Sequence, residues 1–117
     1  MRFATIYTPS GQRSGPPSQE HMAKMGALIE KSIREGSLVY TGPLGKSERG
    51  FRVSYADGKA EIINGPFPGS TFAKASGFAI IEAADEKQAL AFIQEFLAVA
   101  GDGVSEVIPL ADIPVRT

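Results

Sequence analysis

The chain has no cysteine, no tryptophan and a single histidine in 117 residues. Without cysteine there is no disulfide, no thiolate metal site and no cysteine nucleophile. With His21 alone, a histidine-rich metal site within one chain is excluded too, so no metal is expected; nor is any other cofactor. An excess of one charge is also missing, since 12 basic residues against 13 acidic ones leave a net charge of −1. That balance lacks the clustered Lys and Arg of a nucleic-acid footprint and the polybasic run that reads anionic lipid. No apolar stretch approaches the ~20 residues that span a bilayer. The opening residues MRFATIYT lack the basic start and long apolar run of a secretion signal. A cytoplasmic protein with no nucleic-acid and no membrane partner is therefore expected.

What is there suits a folded globule. The length is near the commonest size for one domain, so a single domain over residues 1–117 is expected. A chain of this size buries a core without staples.

Arg2 to Thr8 reads as a short strand ending at Pro9. After the Gly/Pro/Ser-rich SGQRSGPPS, the pair Pro17-Ser18 signals a helix start with Ser18 as N-cap. Met22, Met25, Ile29 and Ile33 repeat at helical spacing, and Gly36 closes the helix. Leu38 to Leu44 is a second strand, interrupted by Gly42-Pro43. FRVSY and KAEII flank Ala56-Asp57-Gly58, a strong hairpin signal because Asp-Gly tolerates positive φ at both turn positions. Asn64 to Ser76 reads as a loop, and Gly77 to Ala83 as a central strand, apolar on both faces. Asp85 with Gln88 forms a capping box for a second helix. Its stripe is Ala89, Leu90, Ile93, Phe96, Leu97 and Ala100, and VSEVIPL is the last strand.

The order is strand, helix, strand, hairpin, strand, helix, strand. Without the hairpin this is βαββαβ, so the fold class expected is α+β, ferredoxin-like with an inserted β-hairpin. Two helices cover one face of such a sheet. Phe78, Ile80 and Ile108 or their neighbours are left for the other face, and a homodimer packed sheet to sheet would cover them.

Two stretches resemble a known family. His21 to Leu44, HMAKMGALIEKSIREGSLVYTGPL, combines a helix-borne histidine, a glycine at the helix end and a Gly-Pro after the next strand. It resembles the YCII-related family. Asn64-Gly65-Pro66-Phe67, after a hairpin and ahead of GFAIIEA, is similar to the DGPF branch of that family, whose tetrapeptide is normally Asp-Gly-Pro-Phe. The resemblance implies a dimeric α/β barrel, two ferredoxin-like sheets closed on each other, with a small-molecule cleft beside each. It also implies acid–base chemistry around a His and an Asp. Here Asn64 replaces the tetrapeptide's aspartate, and QEFLAVAGDG stands where many relatives carry Asp-Pro-aromatic. The dyad does not carry over whole.

His21 is the candidate proton carrier, the one imidazole in the chain. It sits in the first helical turn, ~100° from the centre of the methionine stripe by helical geometry. The blander reading is a polar residue packing against Leu28. Asn64, Gly65, Pro66 and Phe67 read either as ordinary turn chemistry or as a rigid rim that holds an amide and an aromatic wall against a ligand. Tyr40 offers a hydroxyl to a ligand oxygen, although Tyr7, Tyr40 and Tyr55 as strand tyrosines are more ordinary as packing. Glu82 and Glu106, on apolar strand faces, would serve as general acids if their pKa were raised; pairing with Arg2 is the commoner outcome. Arg13 or Lys74 would clamp an anion, or simply be solvated. Two functions follow. One is a cofactor-independent lyase or isomerase, with His21 moving a proton while Asn64 and a tyrosine hold an oxyanion. The other is a ligand-binding or regulatory module without chemistry, which the lost aspartate favours.

Overall fold

A computed structural model describes residues 1–11 and 18–111. Arg13 and Pro17 lie outside them.

Strand β1 (Arg2–Pro9) alternates, with Phe3, Thr5 and Tyr7 buried. Helix α1 (Gln19–Glu35) starts where Ser18 Oγ accepts the His21 N–H at 3.1 Å. It stops at Gly36, whose φ of 81° is open to glycine at little cost. Gly36 N–H then donates to Ile33 and Ser37 N–H to Ser32, so the last carbonyls are satisfied in a Schellman motif. Strand β2 (Leu38–Pro43) follows.

A 3₁₀ turn at Ser47–Arg49 leads into the hairpin of β3 (Phe51–Ala56) and β4 (Lys59–Asn64). Asp57 and Gly58 have φ of 53° and 75°, the pair of positive values a type I′ turn requires. A second 3₁₀ turn, Thr71–Ala73, precedes β5 (Gly77–Glu82). Helix α2 (Glu86–Ala100) is capped by Asp85, which accepts from Gln88 N–H at 2.8 Å. The Gln88 side chain closes the box one residue early, on the Ala84 N–H at 2.6 Å. Strand β6 (Gly103–Pro109) completes the chain order.

The fold is α+β. A four-stranded sheet runs β2-β5-β1-β6 with every neighbouring pair antiparallel, and β3-β4 form a separate two-stranded sheet. The strand read as central, β5, lies between β2 and β1. Phe3, Leu38 and Ile81 on one sheet face meet Ala89 and Ile93 of α2, with Ile29 of α1 and Phe92 packed against them. Both helices therefore cover the same face, and the other is open. Ala4, Ile6, Phe78, Ile80 and Ile108 stand on that open face by register.

Two helix faces differ from the periodicity reading. Met22 is 57% exposed and Ile33 equally outward, whereas Leu28 and Ser32 are buried, Ser32 to 3%. The inward face of α1 is therefore turned about 60° from the methionine stripe. A hydrophobicity pattern passes over Ser32, whose small side chain fits against the sheet. On α2, Leu90 is exposed and Phe92 packs on the core instead.

No residue of β3 or β4 is buried. The Cα radius of gyration is 16.4 Å, against roughly 13 Å for a compact chain of this length. At the hairpin base, Gly65 N–H donates to the Gly50 carbonyl at 2.8 Å. A Cβ at Gly65 would collide with the Ser47 carbonyl, so only glycine fits there.

Candidate functional site

Between the helices and their sheet face lies a cavity of about 690 Å³, within the usual range for a small-molecule site. Its floor is the inward row of β1 and β5, with Thr5, Tyr7, Gly77 and Ala79. Helix α1 contributes His21, Met25, Leu28, Ile29 and Ser32, at spacings that keep them on one side of the helix. Phe92, Ile93 and Phe96 come from α2, and Thr41 to Pro43 with Ser76 form the rim beside β2.

The polar groups here have distinct tasks. Tyr7 hydroxyl donates to the Gly101 and Asp102 carbonyls at 3.1 and 3.2 Å, tying β1 to the end of α2. Its ring meets Phe96 edge-on, with centroids 5.4 Å apart. Gly103 lets this arrangement close, because a Cβ there would press on both the Tyr7 ring and the Thr8 carbonyl. Thr41 Oγ1 donates to the Phe78 carbonyl at 3.0 Å, across the β2–β5 rung. His21 is half-buried and occupies the third position of its helix after the Ser18 cap. Among the described residues its ring has no hydrogen-bond partner. No Asp, Glu, Lys or Arg lines the cavity among the described residues, so His21 faces an apolar chamber that carries hydroxyls but no fixed charge.

The expected site residues divide. His21 is at the cavity. The ~100° offset was from the methionine stripe; because the inward face of α1 is turned away from that stripe toward Leu28 and Ser32, His21 falls on the cavity side of the helix. Tyr40 is on the open sheet face. A regular strand would put Leu38 and Tyr40 on one side, but a bulge between them pairs Leu38 with Ile81 and Tyr40 with Ile80. Tyr40 thus stacks beside Phe78, centroids 5.6 Å apart, away from His21. Asn64, Gly65, Pro66 and Phe67 lie at the hairpin base, outside the cavity lining. Asn64 pairs with Phe51 in the ladder, the Gly65-Pro66 peptide is cis, and Phe67 lies over Gly50 under the Arg52 guanidinium, 4.9 Å from its ring centroid. Glu82 is bridged to Arg2 at 3.6 Å, and Glu106 is exposed.

Thr5, Ser32 and Ser76 line the cavity without having been singled out by sequence. The signal for Thr5 was its place between Phe3 and Tyr7 in a period-two row. For Ser32 it was the eleven-residue step from His21, three turns along one helix face.

Among the described residues no three His, Asp or Glu side chains come together as metal ligands would, and no helix is long and apolar enough to cross a membrane. Set against models of protein families the chain matches none, and no curated protein matches it with significance.

Proposed function

We propose that the chain is a cytoplasmic homodimer of ferredoxin-like subunits, of the YCII-related kind with a DGPF-type segment. Each subunit takes a small molecule into the cavity beside its sheet. His21 moves a proton on that molecule, in a lyase or isomerase reaction that uses no cofactor. The strand order β2-β5-β1-β6, with both helices on one face, supports the split βαβ reading. The open apolar face supports the dimer, and two such sheets closed on each other would form the α/β barrel.

The observation that carries the function is His21 on the inward face of α1, its ring unpartnered among the described residues at an otherwise uncharged cavity. An imidazole held there transfers protons to a bound molecule without competition from a neighbouring carboxylate. A second reading, a ligand-binding or regulatory module without chemistry that serves transcriptional control, is favoured by one feature. Asn64 and Tyr40, the groups expected to hold an oxyanion, stand outside the cavity lining.

The test is NMR titration of the imidazole with a panel of small acids, lactones and phenols, beside turnover assays. A binding compound should shift the His21 ring signals, and His21→Gln should cut turnover by ~10²–10⁴-fold, the ordinary worth of a positioned acid–base group. Its unfolding curve should stay close to wild type, because the ring packs little. A compound that binds in the cavity without moving the ring signals overturns the assignment. A shift without turnover puts the binding module ahead.

A further inference from the structure

Every residue of β3 and β4 is exposed, yet their register gathers most of the apolar side chains on one side, with Asn64 at its end. Val53 opposes Ile62 and Tyr55 opposes Ala60 on the side that also carries Phe51. Arg52, Ser54, Lys59 and Glu61 take the other side, with Ile63. On the apolar side Phe51 and Ile62 are 65% exposed and Tyr55 is 74% exposed. A two-stranded hairpin with neither face covered is marginally stable at best, and a contiguous aromatic and aliphatic patch marks a contact surface. We propose that this face is a clasp, covered by a second copy of the chain, so that each hairpin lies against the partner subunit. The proposal rests on the dimeric reading above and extends it from the sheet to the hairpin.

Charge, area and symmetry choose a second copy as the occupant. Around the hairpin Glu48, Asp57 and Glu61 are matched by Arg49, Arg52 and Lys59. No single-signed field is left for nucleic acid or anionic lipid. Strands about 4.8 Å apart with a rise of about 3.3 Å give the open face of the four-stranded sheet a projected area of roughly 430 Å², and the hairpin roughly 190 Å² more. A standard interface takes about 800 Å² of accessible surface from each partner. A pleated surface with side chains exceeds its projection, so sheet and hairpin together come within reach of that figure while the sheet alone falls short. Finally, an isologous pair buries both uncovered faces of both copies at once and leaves no open end.

Because the chain has no cysteine, Ser54→Cys supplies a single thiol on the polar side of β3, where a nitroxide leaves the apolar face intact. Spin-labelled chain is mixed with isotope-labelled unmodified chain, and amide broadening in the unmodified copy reports the approach of the partner's hairpin. Broadening is expected on the open sheet face or the hairpin. In parallel, Tyr55→Lys and Ile62→Lys should each weaken the dimer at least about tenfold in sedimentation equilibrium, as loss of a buried interface anchor does. Ser54→Lys, on the opposite face, should leave it unchanged. A dimer that persists without intermolecular broadening and ignores Tyr55→Lys overturns the clasp while leaving a sheet-face dimer standing. A monomer at micromolar concentration overturns both. Hairpin-dependent binding to phosphatidylcholine or phosphatidylserine vesicles, without a dimer, assigns the face to lipid and also overturns the clasp.

Discussion

Ile81 and Ile108 belong to the same four-stranded sheet, yet one is 1% exposed and the other 64%. Ile81 points to the side that α1 and α2 cover, opposite Phe3 and Leu38. Ile108 sits on the reverse side, opposite Ala4. The residue type is identical, but Ile81 lies on inner β5 beneath the helices, whereas Ile108 lies on edge strand β6 with no helix over it. Strand alternation assigns side chains to two faces but does not say which face will be dry. That depends on where the helices settle, and on this chain both settle on one side. The apolar content of the other side then points outside the subunit.

The sharpest test of this contrast is truncation on each side. Ile81→Ala should lower unfolding stability by about 2–5 kcal/mol, the cost of a large-to-small change in a packed core. Ile108→Ala should stay within about 0.5 kcal/mol where the face is open to water. If a partner copy covers that face, the second figure will grow with protein concentration and the first difference will remain. Urea unfolding at two protein concentrations separates the cases. An Ile108→Ala loss as large as that of Ile81→Ala at low concentration would erase the distinction between the two sides.

Glycines extend the contrast to the body and the hairpin. Gly103→Ala places a methyl 2.7 Å from the Tyr7 ring and against the Thr8 carbonyl, inside the cooperative body. Overpacking of that kind costs about 1–3 kcal/mol, and it should appear in the global transition. Gly65→Ala drives a methyl into the Ser47 carbonyl, but the damage falls at the hairpin base. Amide exchange in β3 and β4 should speed up while the body's urea midpoint hardly moves, as local opening predicts. A global loss from Gly65→Ala would mean that the hairpin is part of the cooperative core.

Local chemistry was legible in the sequence wherever the signal was local. The Ser18 and Asp85 caps, the left-handed Gly36 and the Asp57-Gly58 turn all rest on a few adjacent residues. So does the element order, which follows from hydrophobic period and punctuation. Orientation was less legible. Leu90 and Phe92 flank the α2 stripe at about 80° on either side, so helical geometry treats them alike. Neighbouring elements break the tie. Ser32 and His21 are polar, so a hydrophobic stripe steered away from the face they share. Tyr40 was displaced from the expected site by one bulge, a single extra residue that pattern reading does not register. The cavity depends on α1, α2 and two strands meeting, and no window of sequence contains it.

The smallest expected effect is on the covered side, where Lys31 and Glu95 join α1 to α2 across their outer edge at 3.0 Å. The hydrogen bond that Lys31 Nζ donates to the Glu95 carboxylate stabilises the ammonium form, with the charges of Glu95 and then Glu35 adding to it, and the Lys31 pKa is raised from 10.5. A folded pKa above the unfolded one means that the stabilisation is complete below the unfolded value. It fades as pH climbs through the raised folded value, and around neutrality it is flat. The pair is solvated, so screening keeps its contribution small. Lys31→Met retains most of the aliphatic stem and removes the charge. The variant should unfold at slightly lower urea than wild type near neutral pH, and the gap should close both at strongly alkaline pH and in about 1 M salt. A gap that widens with pH, or that ignores salt, would show that Lys31 acts through packing of its stem against α2 and not through its charge.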